Sequence, residues 1–151
     1  MIQRIQSVYL FLIAVLSVVC LCTSVGRFSQ EGVWVADLYN LWLTFPTGVH
    51  DFAPWALFAL LLPVAAIALG AIFLFRRRML QVRLIIFSGL LLVGYYVALG
   101  VFAYVLGKRL ESDFTVSWSA ALPAVALILD YLAFRAVMRD EMIVRSLDRL
   151  R

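Results

Sequence analysis

Charge is scarce in this chain. Only 15% of its 151 residues are Asp, Glu, Lys or Arg, against about a quarter in an average soluble domain. That scarcity excludes a soluble globular domain, and it excludes disorder, which needs a charged and weakly apolar composition. Histidine occurs once, at His50, and cysteine twice, at Cys20 and Cys22. His50 and its neighbour Asp51 are too few to hold zinc, which usually takes three or four protein ligands, and the cysteines lie in another segment. Side chains two apart on a helix point about 200° apart, so Cys20 and Cys22 cannot close a disulfide and are expected as buried structural thiols. The sequence contains no Gly-x-Ser-x-Gly, no His-Glu-x-x-His and no phosphate-binding glycine loop. Hydrolase, metalloprotease and nucleotide chemistry therefore lack their residues. No enzymatic activity and no cofactor is expected. Nucleic acid is not an expected partner either, because no aromatic residues interleave the arginines as a base-stacking platform requires.

Apolar residues make up 65% of the chain, and the mean hydropathy is +1.00. They fall in runs of membrane-spanning length, about 20 residues for a hydrocarbon core of about 30 Å. Four spans are predicted, at residues 5–26, 54–75, 84–107 and 118–138. The fourth contains Asp130 and Arg135. The first is too long for the core of a cleaved signal peptide, about 7–15 residues, and reads as an uncleaved anchor. The fold class is an all-α integral membrane protein, one four-helix bundle.

Basic residues set orientation because they are retained on the cytoplasmic side. Arg4, Arg76, Arg77, Arg78, Arg83, Arg135, Arg139, Arg145, Arg149 and Arg151 share one side of an even-span topology, and only Arg27, Lys108 and Arg109 lie on the other. Both termini are therefore expected in the cytoplasm, with outer loops at residues 27–53 and 108–117. The basic face would attract anionic headgroups.

Within the second span, Pro54 suits a first helical position and Pro63 predicts a bend. Small residues four apart, Ala66 with Gly70, Ala103 with Gly107 and Ala120 with Ala124, mark where spans are expected to touch. In the first outer loop, residues 33–36 and 41–45 are rich in β-branched and aromatic side chains and predict a short hairpin turning at residues 37–40. Trp34, Tyr39, Trp42 and Trp55 also fit an aromatic belt at headgroup level, or a docking surface. From the end of the fourth span, Met138, Met142, Ile143, Leu147 and Leu150 recur at helical spacing among charges, predicting that the span runs on into an amphipathic cytoplasmic helix over residues 139–151, its apolar face turned to the bilayer surface or to a partner. Glu141 precedes Arg145 by four residues, the favourable order for a surface ion pair. Asp130 is the one ionisable group well inside a span, and its expected partners are Arg4, Arg83, Arg135 or water.

The two ends, MIQRIQSVYL at residues 1–10 and RAVMRDEMIVRSLDRLR at residues 135–151, resemble the signature ends of a domain-of-unknown-function family of small four-span inner-membrane proteins of Bacteroidota. The resemblance implies a helical membrane fold in the bacterial inner membrane and transfers no catalytic residue. It directs attention to Gln3, Arg4, Gln6, Arg135, Asp140, Glu141, Arg145, Asp148 and Arg149, which the topology brings to one membrane level. Arg, Asp and Glu without a nucleophile suit polar recognition. The leading expectation is a non-catalytic accessory or scaffold subunit that docks a protein partner or a second copy of itself through the cytoplasmic face. The alternative is a small ion- or proton-coupled carrier using Asp130.

Overall fold

A computed structural model describes the backbone of residues 2–151 and the side chains from Arg4 onward. Four helices dominate: α1 (Ile2–Cys22), α2 (Trp55–Phe73), α3 (Arg78–Leu110) and α4 (Leu122–Arg149), the last preceded by a 3-10 turn at Trp118–Ala121. All four are long and apolar enough to cross a membrane. Each packs on two neighbours, α1 and α3 on both α2 and α4, in an up-and-down ring with α1 and α3 diagonal.

Helix formation needs little explanation in segments this rich in Leu, Ala and Ile, since every backbone group in lipid must be paired internally. Which face turns inward is less obvious, because the helices are apolar all round. In α1 the buried stripe is Gln6, Leu10, Ile13, Ala14, Ser17 and Cys20, and in α4 it is Pro123, Ala126, Asp130, Ala133, Val137 and Asp140. The steps of three and four follow the helical repeat. Gln6, Ser17, Asp130 and Asp140 lie on these stripes, while Phe11, Leu12, Leu62, Leu90, Val97 and Ile128 face outward. Within the apolar runs, Ser17, Ser88 and Asp130 thus turn inward and large apolar side chains turn outward, as befits a lipid solvent.

At one end the loops fold into a five-stranded antiparallel sheet of order β4-β3-β2-β1-β5, formed by β1 (Gly26–Gln30), β2 (Val33–Leu38), β3 (Leu43–Thr44), β4 (His50–Asp51) and β5 (Asp113–Val116). The β1–β2 turn is made by Glu31 and Gly32, both at positive φ, the combination that tight two-residue hairpins require. Phe28, Ala36, Leu38 and Leu43 turn inward and close the bundle end. Gly26 lets β5 approach, because a Cβ there would lie 2.2 Å from the Phe114 ring. On the other face the register sets Thr115, Arg27, Asp37, Thr44 and His50 side by side across all five strands. Arg27 Nε donates to Asp37 Oδ1 at 2.8 Å, and this hydrogen bond raises the guanidinium pKa above its ordinary value.

Several expectations are corrected. The first helix ends at Cys22, and residues 26–30 form a strand because they pair with both β2 and β5. The expected hairpin is one part of a larger sheet, and Asp37 belongs to β2, the turn closing instead where Tyr39 N–H donates to Trp42 O at 2.9 Å. Pro54 sits one position earlier than expected, at the cap of α2. Ala66 is exposed; α2 packs through Ala65, Ala68 and Ala71, whose faces point inward. Cys22 is exposed at the helix end, unlike buried Cys20. The C-terminal segment is helical as expected, running on from the fourth apolar run to Arg149 without a break.

Candidate functional site

Three polar arrangements stand out in so apolar a molecule. The first lies at the end away from the sheet, where the two chain ends meet. Gln6 Nε2 donates to Asp140 Oδ2 at 2.8 Å, joining α1 to α4 between residues that are 6% and 8% exposed. Arg78 Nη1 reaches the Asp140 carbonyl oxygen at 3.4 Å. Just beyond, Gln81 Nε2 donates to the Ala71 carbonyl at 3.1 Å, a second donor on the carbonyl that also accepts from the Leu74 N–H at the end of α2. A shallow cleft of about 300 Å³ between α1 and α4 is lined by Ile5, Tyr9, Leu132, Arg135, Ala136 and Arg139.

Of the predicted set, therefore, the structure brings Gln6 and Asp140 together inside the bundle, and Glu141 and Arg145 together on the surface, with Nε–Oε1 at 2.9 Å. Arg4, Arg135, Asp148 and Arg149 are exposed and make no ion pair among the described residues. The Gln3 side chain lies outside the described residues. From Met142 to Leu150 every residue is exposed, although the helix continues unbroken to Arg149.

The second arrangement is inside the membrane span. Asp130 is 5% exposed, and its partner is none of the arginines expected for it: Ser88 Oγ of α3 donates to Asp130 Oδ1 at 2.6 Å. Its second oxygen stands over Gly89, where a Cβ would come within 2.9 Å. The carboxyl group adjoins a side-facing pocket of about 330 Å³ lined by Ile85, Ile86, Leu127, Tyr131 and Phe134. Arg4, Arg83 and Arg135 are exposed on their helices, whereas Ser88 and Asp130 fall on the buried stripes of α3 and α4.

The third arrangement was hidden from sequence reading. Asn40, fully buried, plugs the sheet into the bundle: its Nδ2 donates to the Cys20 carbonyl at 2.7 Å, and its Oδ1 accepts from the Tyr95 hydroxyl at 2.7 Å. Tyr95 oxygen also lies 3.9 Å from Cys20 Sγ. With the tyrosine proton committed to Asn40, the thiol is the donor in that contact. The Asn40 carbonyl accepts from Phe58 N–H at 3.0 Å, so α1, α2 and α3 all converge on one loop residue. For Gln81, Ser88 and Tyr95 the available signal was a polar side chain inside or beside an apolar run; for Asn40 there was none.

His50 is exposed on β4, its Nδ1 3.5 Å from Thr44 Oγ1, and Asp51 Oδ2 lies 3.7 Å from Arg109 Nη1. No group of three metal-ligating residues occurs among the described residues.

A family model described as a domain of unknown function, DUF4293, matches residues 2–150. No curated protein is significantly similar to the chain.

Proposed function

The chain belongs to the DUF4293 family, and from that premise we propose that it is a non-catalytic accessory or scaffold subunit of the inner membrane of Bacteroidota, with both termini cytoplasmic, which docks a protein partner through the exposed end of α4. One observation carries the reading. The 28 residues of α4 extend about 42 Å at 1.5 Å per residue, well beyond a hydrocarbon core of about 30 Å, and its last buried residue is Asp140. A helix lying on the lipid surface would have to bend away from the bundle axis near that point. Here it continues without a break. Its projecting end is amphipathic: Met142, Ile143, Leu147 and Leu150 share one side, and Arg145, Asp148 and Arg149 the other. The complementary partner offers an apolar groove edged with carboxylates, the usual way an amphipathic helix is recognised. The Gln6–Asp140 and Arg78–Asp140 contacts fix the root of that helix to the bundle, so its direction is set before the partner arrives.

The test is cross-linking in cells followed by mild detergent extraction and identification of what co-purifies. A partner is expected with the full chain and lost from a Leu147→Glu, Leu150→Glu double variant whose four spans remain inserted. Recovery of the protein alone, after cross-linking and under gentle extraction, would refute the docking role. A self-complex would show as a doubled mass by light scattering.

A second reading, an ion- or proton-coupled carrier, is favoured by the Asp130–Ser88 pair, since carboxyl groups at membrane depth commonly mark ion or proton paths. Reconstituted protein should then move protons or a cation across liposome membranes. Asp130→Asn, which can still accept from Ser88, should stop the flux without unfolding the bundle. Absence of flux in the wild type would dismiss the carrier.

A further inference from the structure

The turn from α2 to α3 gathers Arg76, Arg77, Arg78 and, further along α3, Arg83. With Met79, Leu80 and Glu141 they line a concavity of about 550 Å³. The turn that presents them is held by its backbone: Leu74 N–H donates to Ala71 O at 3.2 Å and Arg77 N–H to Leu74 O at 2.9 Å, while the buried Gln81 side chain ties the start of α3 to the end of α2.

Counter-charge is short here. Glu141 is the one carboxylate lining the concavity, and its Oε1 is engaged by Arg145. Arg78 is directed to the Asp140 carbonyl, and Arg76 lies over the Phe75 ring at 5.8 Å. Among the described residues, Arg76, Arg77 and Arg83 have no ion pair. The first turn of α3 contains no acidic residue, and its cap makes no side-chain hydrogen bond. The positive end of a 33-residue helix therefore adds to the field of the arginines. Guanidinium groups this close repel one another, and an anion held between them removes that repulsion. Their planar forks suit phosphate oxygens in particular.

The surroundings choose between a lipid and a free anion. Phe73 is 79% exposed, and Phe75, Met79 and Leu80 are exposed beside it. The arginines begin where the apolar run of α2 stops and end where that of α3 takes over, which is headgroup depth for a helix pair that spans a bilayer. A soluble phosphate would use the arginines and leave the apolar rim without a role. A phospholipid uses both, as in basic pockets between membrane helices that hold acidic headgroups. We infer that this concavity is a binding site for an anionic glycerophospholipid, its headgroup phosphate held by Arg76, Arg77 and Arg83 and its acyl chains laid against Phe75, Met79 and Leu80. The site is separate from the projecting end of α4 and does not depend on a protein partner.

Native mass spectrometry of the full-length protein, after incubation with equal amounts of phosphatidylglycerol and phosphatidylcholine, reads the site directly. The wild type should retain phosphatidylglycerol by about tenfold over phosphatidylcholine, a ratio within reach of one charge-assisted contact. Changing Arg76, Arg77 and Arg83 together to Lys keeps the charge, and with it the inserted orientation, but removes the forks. The preference should then fall toward parity, while Arg149→Lys and Arg151→Lys together leave it intact. Should the triple variant not fold by circular dichroism, Arg83→Lys alone must lower the preference in the same direction. Equal retention of the two lipids by the wild type would overturn the proposal. So would an undiminished preference in the folded Lys variant, or displacement of the lipid by millimolar inorganic phosphate, which would mark a site for free anions.

Discussion

Asn40 shows how much one polar side chain can hold together in a membrane bundle. It accepts from Tyr95, donates to the Cys20 carbonyl, and accepts through its own carbonyl from Phe58. A buried polar atom stripped of its partner costs about 1–3 kcal/mol. Asn40→Leu strands the Tyr95 hydroxyl and takes the shortest donor from the Cys20 carbonyl, which keeps its longer contacts from Thr23 N–H and Oγ1. With about 1–3 kcal/mol for the stranded hydroxyl and about 1 kcal/mol for the lost hydrogen bond, it should destabilise the protein by about 2–4 kcal/mol. Tyr95→Phe should cost less, about 1–2 kcal/mol, because Asn40 keeps its bonds to α1 and α2. Unfolding in mixed micelles followed by circular dichroism measures both, and an Asn40→Leu variant as stable as Tyr95→Phe would contradict the ranking. At the opposite end, Gln6→Leu leaves the Asp140 carboxylate without its side-chain partner. A loss of about 1–3 kcal/mol is expected there, together with faster proteolysis after the arginines of the α4 end. The polar pairing of the chain ends was partly legible, since the motifs at residues 1–10 and 135–151 had to reach the same level. Which of their residues met was not. Gln6 and Asp140 are separated by 134 positions, and only the inward direction of each on its own helix selects them over exposed Arg4 and Arg139.

The helices themselves were legible because charge-free runs of spanning length leave the backbone no alternative in lipid. Their faces were not, for the reason that makes them membrane helices. When both sides are apolar, periodicity carries little signal about the inside, and the small-residue spacing pointed to Ala66 and Gly70 when the packed stripe is Ala65, Ala68 and Ala71. Strands at residues 26–30 and 113–116 were equally hidden. β5 depends on a partner nearly ninety positions away, as in Phe114 opposite Phe28 with ring centroids 5.0 Å apart, whereas β1 has a local partner in β2 but follows so closely on the apolar run of α1 that its start reads as the end of the span. The hairpin between β2 and β3 was visible because its partners are local. The α2 stripe allows a direct comparison. Ala68→Phe forces a ring into the close contact of α2 with its neighbours and should destabilise by about 1–3 kcal/mol or more, the range for overpacking. Ala66→Phe, on the exposed side, should change stability by less than about 0.5 kcal/mol. If the two variants proved equally stable, the assignment of the inner face of α2 would be wrong.

For the molecule as a whole, the sheet end carries Arg27, Lys108 and Arg109, whereas the other end carries every remaining basic residue in the chain. The retention of basic segments on the cytoplasmic side predicts that the sheet faces outward and that α4 projects into the cytoplasm. The structure supplies an unusually simple reporter of this arrangement. Of the two cysteines in the sequence, Cys20 is buried against Tyr95 and Asn40, and Cys22 is exposed where α1 gives way to the sheet. Cys22 borders an open depression of about 580 Å³ whose lining includes Thr23, Ser24, Arg27, Ser117 and Trp118, a setting that water and a charged reagent can enter. A membrane-impermeant maleimide should therefore label one thiol per chain in cells whose inner membrane is intact, once any outer membrane has been made permeable. Cys22→Ser should abolish the labelling, because Cys20 is shielded by packing. A reporter active only outside the cytoplasm should be silent when fused after Arg151, and the same reporter should be active when inserted near Thr47 in the exposed loop between β3 and β4. Labelling that appears only after the inner membrane is broken, joined to an active fusion after Arg151, would place the arginines outside. The projecting end of α4 would then face away from the cytoplasm, and the docking proposal would lose its compartment.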